Sequence, residues 1–364
     1  TERKVSFNFS HSSNFHFRRM KVVITLALTG LLIAMVSAQA VNFYSGTFPM
    51  AFFQCALVGC SPSVTSNFVG SGAACDAFTS GQATFAENDV QPNAAAVPSA
   101  CSCQSTRGYL TTQAPASGIV VIYKDPGCST KPLKLTRQTL CDIFSGRITN
   151  WKQIPGCANK DLPVKRCVRC DSSGTTTSFT RTLKCMCPTD PFNRPCCAPG
   201  PSAPASCESA TPANGNCNWP SSNTIYNSGN PAVGSCVKNN IGSFGYVAYS
   251  QYLTYVSGTV TAAKLQAADG TFVSPSVALV KTGVAAIGCG ADCYAPRGWP
   301  MCVLPSMIYK SACYGGALKT LMKKICVNTL AGKGCAGQNC VVSPFVPLPA
   351  ACKTKYNPVC NKIC

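Results

Sequence analysis

The chain of 364 residues is 46% hydrophobic and 12% charged, long enough for one large domain or two lobes with substantial cores and too apolar to be disordered throughout. Its 31 basic against 12 acidic residues give a formal net charge of +19, which attracts anions and is screened by salt; the basic residues are scattered rather than gathered into a stripe with interleaved aromatics, which argues against nucleic acid as a partner. Both histidines, His11 and His16, precede residue 41, which excludes a Ser-His-Asp triad, a Cys-His pair or a His-ligated metal from everything after it.

Residues 1–19 begin without Met and read as a translated leader or a non-native segment. Residues 20–40, "MKVVITLALTGLLIAMVSAQA", have the parts of a secretory signal: Lys21 behind Met20, an apolar run from Val22 to Val36, and small residues at Ala38-Gln39-Ala40. The run falls short of the roughly 20 apolar residues of a membrane span, so cleavage is expected, and no later stretch spans a bilayer. Five basic residues and one acidic residue lie before Val41, so the mature chain carries 26 against 11, a formal +15. All 27 cysteines follow residue 41. Behind an export signal that density reads as a disulfide framework of a secreted protein, with one thiol left over by the odd count. Cys167-x-x-Cys170 also has the spacing of a zinc pair, but without a matching second pair or a histidine no metal is expected.

Beyond Val41, short β-branched runs alternate with helix-like segments, the pattern of an α/β protein. "SGIVVIYKD" (117–125) predicts a buried strand. Thr136 predicts an N-cap for a helix with Leu140, Ile143 and Phe144 on one face and Gly146 as its stop. Residues 185–220, including "CPTDPFNRPCCAPGPSAPASC", read as an irregular, disulfide-tied surface excursion. Further on, Leu318, Leu321, Met322 and Ile325 share a helix face that ends at Gly332.

Three places set a glycine or hydroxyl residue just ahead of a helix-like segment, where backbone N–H groups are free to bind anions. In "SGTFPMAFF", Thr47 and Phe48 precede Pro49 at a favoured first helical position. In "VGSGAACDAF", Ser71 stands at the cap. In "RCDSSGTTTSF" (169–179), Ser173, Gly174 and Thr175 start a helix carrying Phe179 and Leu183. A hydroxyl cap alone is ordinary helix punctuation. Three such caps with Arg169 suit one small tetrahedral oxyanion: Gly174 admits close backbone approach, Arg169 offers a planar fork of donors, and Asp171 either orients that fork or simply faces the helix dipole.

Through "GTFP" (46–49), "GSGAA" (70–74), "FAENDV" (85–90), "GIVVIYKD" (118–125), "LTRQTLCDIFSGRITNWKQI" (135–154), "LPVKRCVRCDSSGTTTSFT" (162–180) and "GWPMCVLPSMIYK" (298–310), the chain resembles the high-affinity phosphate-binding proteins that serve bacterial phosphate ABC transporters. The resemblance implies a type II periplasmic-binding-protein fold: two α/β lobes joined by hinge strands, with the ligand cleft between them. Residues 41–117 and 301–364 are expected in lobe 1 and 118–300 in lobe 2. It implies phosphate held by the Thr47 hydroxyl, the Phe48 backbone, Ser71, Arg169, Ser173, Gly174 and Thr175, with Asp171 supporting Arg169 and Asp89 accepting the anion's proton. No catalytic residue and no cofactor are implied. Inorganic phosphate is the expected ligand, and a membrane phosphate transporter or acidic wall polymers are the further partners considered. The cysteine density, and the lack of a lipid-anchor cysteine at the cleavage point, depart from the family and suggest a secreted eukaryotic relative of algal type. Two other readings stand beside this one: a cysteine-rich cell-wall matrix protein that retains the fold, and a secreted phosphatase using Ser173 or Thr175, for which nothing in the sequence activates a hydroxyl.

Overall fold

Apolar, β-branched runs become strands and the capped segments between them become helices in the computed structural model, which describes residues 40–89, 108–190, 219–253, 258, 260–289, 294–311 and 314–363. The leader, all but the last residue of the signal, residues 191–218 of the Cys/Pro-rich excursion and the "CSC" of 101–103 lie outside the described residues. From the start of the mature chain, β1 (Val41–Ser45), α1 (Met50–Ala56), β2 (Val64–Phe68), α2 (Ser71–Ser80) and β3 (Phe85–Asn88) are followed by β4 (Tyr109–Gln113) and β5 (Ser117–Tyr123). Next come β6 (Lys134–Leu135), α3 (Arg137–Ser145), β7 (Lys165–Arg169), α4 (Gly174–Met186), β8 (Thr224–Asn227), α5 (Gly229–Asn239) and β9 (Ser243–Ala248). The last part holds β10 (Thr261–Ala262), β11 (Lys264–Gln266), β12 (Phe272–Val273), α6 (Val277–Ile287), β13 (Cys302–Val303), β14 (Ser306–Lys310), α7 (Gly316–Ala331) and α8 (Ala350–Lys362).

Two main sheets result. The first has the order β2-β1-β3-β14-β4 and the second β10-β5-β9-β7-β8 with β13 on the outer side of β5; a small third sheet joins β12, β11 and β6. The pairs β1–β2, β1–β3, β7–β8 and β7–β9 are parallel, while β14 and β5 run antiparallel to their neighbours. The chain therefore passes from the first sheet to the second between β4 and β5 and returns between β13 and β14. Every residue of β5 is buried, as expected for a strand covered on both faces. Phe43 packs on Phe53 and Phe85 in the first sheet, each at 4.7 Å between ring centroids. Phe179 of α4 stacks on Tyr246 of β9 at 4.2 Å and Trp151 on Phe244 at 4.7 Å in the second.

The predicted caps are largely met. Thr136 accepts from the Thr139 N–H at 3.0 Å, and Gly146 and Gly332 close their helices at positive φ. Two details differ. Pro49 is the residue ahead of α1 rather than its first helical residue, and Gly70, not Ser71, occupies the cap position of α2. Gly70 has φ +105°, and a Cβ there would sit 2.8 Å from Asp171 Oδ2. A side chain with its hydroxyl at the cap would thus collide with the opposite wall.

Among the described residues, disulfides join Cys55–Cys340, Cys60–Cys335, Cys128–Cys157, Cys141–Cys187, Cys167–Cys236, Cys289–Cys352 and Cys326–Cys360. Cys170 is disulfide-bonded as well, so the Cys167-x-x-Cys170 spacing belongs to the covalent framework and not to zinc. Cys141 and Cys187 lie near Asp190, but the sulfurs are bonded to each other and the carboxylate is paired with Arg147 at 2.6 Å. Cys289, just past α6, is tied to Cys352 of α8. α6 packs on β13 of the second sheet and α8 on β4 of the first, so this bond links elements on opposite sides of the crossing. Cys302 is a free thiol, and burial pushes its pKa well up.

Candidate functional site

Helix starts from both sheets converge on a buried polar cluster. The turn after β1 brings Thr47 and Phe48, α2 begins with Ser71, and the end of β3 delivers Asp89. From the second sheet, the end of β7 carries Arg169, and the loop into α4 supplies Asp171, Ser173, Gly174 and Thr175. Every site residue expected from the sequence is at least nine-tenths buried here.

Arg169 and Asp171 form a bidentate ion pair, the arrangement in which a planar guanidinium and a carboxylate match best. Burial works against the Arg169 charge, but the adjoining Asp171 carboxylate outweighs it and the arginine pKa rises. The Gly229 N–H also reaches Asp171 Oδ1 at 3.2 Å. Gly229 has φ +78°, a left-handed conformation that glycine adopts without penalty. With its Nε–Nη2 edge held in this way, Arg169 turns Nη1 toward the Thr47 hydroxyl at 3.5 Å. Thr47 Oγ1 accepts from the backbone N–H and the side-chain Nδ2 of Asn230 at 3.2 and 2.9 Å, which saturates the oxygen and leaves its own O–H to donate. Phe48 is fully buried, and its carbonyl receives the Ser250 hydroxyl at 3.5 Å.

The two walls touch directly: the Thr175 hydroxyl donates to Asp89 Oδ2 at 3.0 Å and the Gly72 N–H donates to the Ser172 carbonyl at 3.0 Å, while within the first wall the Asp89 N–H reaches Ser71 Oγ at 3.4 Å. Gly174 fits because it lacks a side chain: a Cβ would lie 2.4 Å from Ser71 Oγ. Ser173 accepts from the Thr176 N–H at 3.1 Å and caps α4 as the sequence predicts.

Asp89 is pushed up to about 6 by burial, held back by hydrogen bonds from Thr175 and Glu87 and by the Arg169 charge. Glu87, fully buried, lies well above the ordinary carboxylate range because of burial and the adjacent Asp89 charge. Tyr246 accepts from the Arg169 N–H at 3.2 Å and shares a 2.6 Å hydrogen bond with the Thr176 hydroxyl, so the core of the second sheet reaches into the site.

Sequence reasoning missed Glu87, Asn230 and a further helix start. Asn230 Nδ2 also donates to Thr175 at 3.2 Å, and Oδ1 accepts from the Ala248 N–H at 3.0 Å, fixing the amide between α4, β9 and the first sheet. Its signal was present: "SGNP" (228–231) sets Ser228 at the cap of α5 and proline in the first turn. Aligned N–H groups at such helix starts, with their positive dipole ends, suit a compact anion with several acceptor oxygens. The ionised side chains alone do not attract one, since Arg169 is opposed by Asp171 and Asp89.

The chain is 28% identical over 180 residues to a protein named phosphate-binding protein PstS from Methanocaldococcus jannaschii, a match covering 46% of this chain and 41% of that one. It is 42% identical over 74 residues to alkaline phosphatase L of Pseudomonas aeruginosa, covering 20% and 19%. The chain thus aligns with less than half the length of either relative. Among solved structures, a high-affinity periplasmic phosphate-binding protein bound with phosphate at pH 8.5 superposes with a TM-score of 0.66 at 20% identity, over 89% of this chain and 99% of that one. At that identity the likeness is one of fold, the two-lobed α/β architecture of type II periplasmic binding proteins. Residues 38–292 match the family model described as the PBP superfamily domain, and the chain belongs to that family.

Proposed function

We propose that this protein binds inorganic phosphate, as hydrogen phosphate, in the cleft between its two sheets. The observation that carries the reading is the single buried cluster in which Arg169, Thr47, Ser71 and the Ser173–Thr175 helix start surround an acceptor carboxylate, Asp89. A buried carboxylate repels an anion unless the anion has a proton to give. Hydrogen phosphate has one at neutral pH and sulfate has none, so Asp89 selects between two ions of nearly equal size. The name of the Methanocaldococcus relative and the phosphate bound in the structural neighbour support the same assignment.

In this reading the crossings between β4 and β5 and between β13 and β14 are the hinges, so the lobe boundaries expected from the sequence shift to them: residues 41–113 and 306–364 form lobe 1 and residues 117–303 form lobe 2, because Ser117 and β13 pair within the second sheet. Donors from both sides are satisfied together only when the lobes close. The role is capture and not turnover: no histidine follows residue 16, and the carboxylate that meets the Thr175 hydroxyl, Asp89, is assigned to accept the ligand's proton rather than to activate a nucleophile. The disulfides suit an oxidising compartment, so residues 20–40 act as a secretory signal and the protein works outside the cytoplasm, scavenging phosphate for a membrane transporter.

The test is calorimetric titration of phosphate, with sulfate in parallel, into the disulfide-intact chain from Val41, using Arg169→Ala and Asp89→Ala as variants. Phosphate binding that ignores sulfate and collapses in Arg169→Ala is the expected result. A folded, phosphate-stripped protein that gives neither heat nor a thermal shift with phosphate refutes the reading.

A further inference from the structure

Asp89 is not alone at the end of β3. Glu87 stands two residues before it, so both side chains leave the strand on one face, while Asn88 between them turns away to Cys75. Glu87 Oε2 is engaged by the Ser45 hydroxyl at 2.7 Å and the Gly46 N–H at 2.9 Å. Asp89 Oδ2 is engaged by Thr175 at 3.0 Å. The other two oxygens, Glu87 Oε1 and Asp89 Oδ1, are fully buried and reached by no N–H or O–H among the described residues, and the two carboxyl groups are near enough for each to shift the other's ionisation.

Two carboxylates have no hydrogen to share, and a buried oxygen without a donor costs the full desolvation of that atom. One proton between the pair satisfies both atoms at once. Its place is set by the surroundings. Asp89 is met by cationic Arg169 from β7, by Thr175 from α4 and by Ser71 from α2, all of which favour its ionised form. Among the described residues, Glu87 meets besides Asp89 only the Ser45 hydroxyl and the Gly46 N–H, with Met307 of β14 opposite it in the ladder, and no cation. The proton therefore belongs on Glu87.

We infer that Glu87 is a specificity-determining positioning residue: a neutral carboxylic acid that donates to Asp89 Oδ1 and so keeps Asp89 an acceptor. The inference rests on the phosphate reading of the site. Without the Glu87 proton, a buried Asp89 takes one up itself and becomes a donor, to which sulfate binds as readily as phosphate. With both groups ionised, Arg169 and Asp171 cancel and two negative charges face the ligand. Phosphate selectivity thus occupies a pH window in which the pair carries one proton, with sulfate admitted on its acid side and all anions repelled on its alkaline side.

The experiment combines phosphate and sulfate titrations from pH 5 to 9 with infrared spectroscopy on wild type, Glu87→Ala and Glu87→Gln. In wild type at pH 7 the C=O stretch of a buried protonated carboxyl group is expected, and it disappears in Glu87→Gln. Glu87→Ala loses at least about tenfold in phosphate-over-sulfate preference near neutral pH, a factor in keeping with one orphaned buried acceptor. Glu87→Gln, whose amide mimics the neutral acid, shows a smaller fall in phosphate affinity toward pH 9 than wild type. If wild type binds phosphate selectively but lacks the carboxyl band, or if Glu87→Ala keeps wild-type selectivity at every pH, the inference is overturned while the phosphate reading stands. A carboxyl band in a wild-type protein that binds no phosphate defeats the phosphate reading and, with it, the selectivity role of Glu87. If Glu87→Ala does not fold, the band and the Glu87→Gln profile decide.

Discussion

Replacing Gly174 by Ala places one methyl group where the two walls of the site meet. The added Cβ would sit 2.4 Å from Ser71 Oγ, 2.7 Å from Asp89 Cβ and 3.0 Å from Ser71 Cβ, against about 3.5–4.0 Å for an unstrained carbon contact. Relief requires the first sheet's wall to retreat by about 1 Å, because Asp89 Cβ is anchored at the end of a strand and Ser71 at the start of a helix. Overpacking of this kind costs about 1–3 kcal/mol. If that cost falls on the closed arrangement alone, phosphate affinity drops by roughly 5- to 150-fold. The phosphate-free protein, able to part its walls, loses little in thermal stability. Titration calorimetry alongside thermal melts with and without phosphate measures both quantities. A Gly174→Ala protein that binds phosphate within about twofold of wild type, while melting several degrees lower without ligand, refutes the reasoning: the methyl group would then strain the core of one lobe and leave closure untouched.

Asp89 also gives the ligand-free protein a pH dependence. Its folded-state pKa of about 6 lies above the ordinary value of 3.8, so the native state binds more protons than the unfolded chain between these values. The contribution to stability is fully present below pH 3.8 and is lost as pH rises through 6, on the order of 3 kcal/mol in all. Asp89→Asn is therefore expected to flatten the decline that wild type shows over that range in urea unfolding, and equal slopes for the two proteins contradict the assignment. The Cys167–Cys236 bond, spanning 69 residues, holds the strand bearing Arg169 to the helix bearing Asn230. Changing both cysteines to Ala is predicted to cost about 4 kcal/mol of stability, read from denaturant midpoints, and to weaken phosphate binding; unchanged binding in a destabilised but folded variant would separate the bond from the site.

The parts of the site legible in the sequence were those made by local grammar. Ser173 ahead of α4 follows from capping rules, as does the bracketing of α3 by Thr136 and Gly146, and Arg169 stands out as the cation just ahead of that cap in "RCDSSGT". Glu87 was invisible because its meaning depends on burial: a glutamate in "FAENDV" reads as a solvated charge until both of its strand neighbours and the Asp89 carboxyl are known. Asn230 had its signal, but its part in the site comes from a contact 183 residues distant with Thr47, which no window of sequence contains. The shift of the α2 cap from Ser71 to Gly70 has a similar cause. A local rule favours the hydroxyl, and the carboxylate of Asp171 on the facing wall overrides it.

The Cys289–Cys352 bond bears on how such a molecule can move. It holds the Cα atoms of the two residues 5.2 Å apart, and it joins helices packed on β13 and β4, the strands that flank the two crossings. A covalent pin at that place forbids one body from sliding along the other, since any shear would have to stretch it. Swinging about the crossings remains open. If the two sheets swing about those crossings as proposed, the pin leaves nearly one angular coordinate for the motion, and each approach of the walls would bring Gly174 back against Ser71 and Asp89 in the same register.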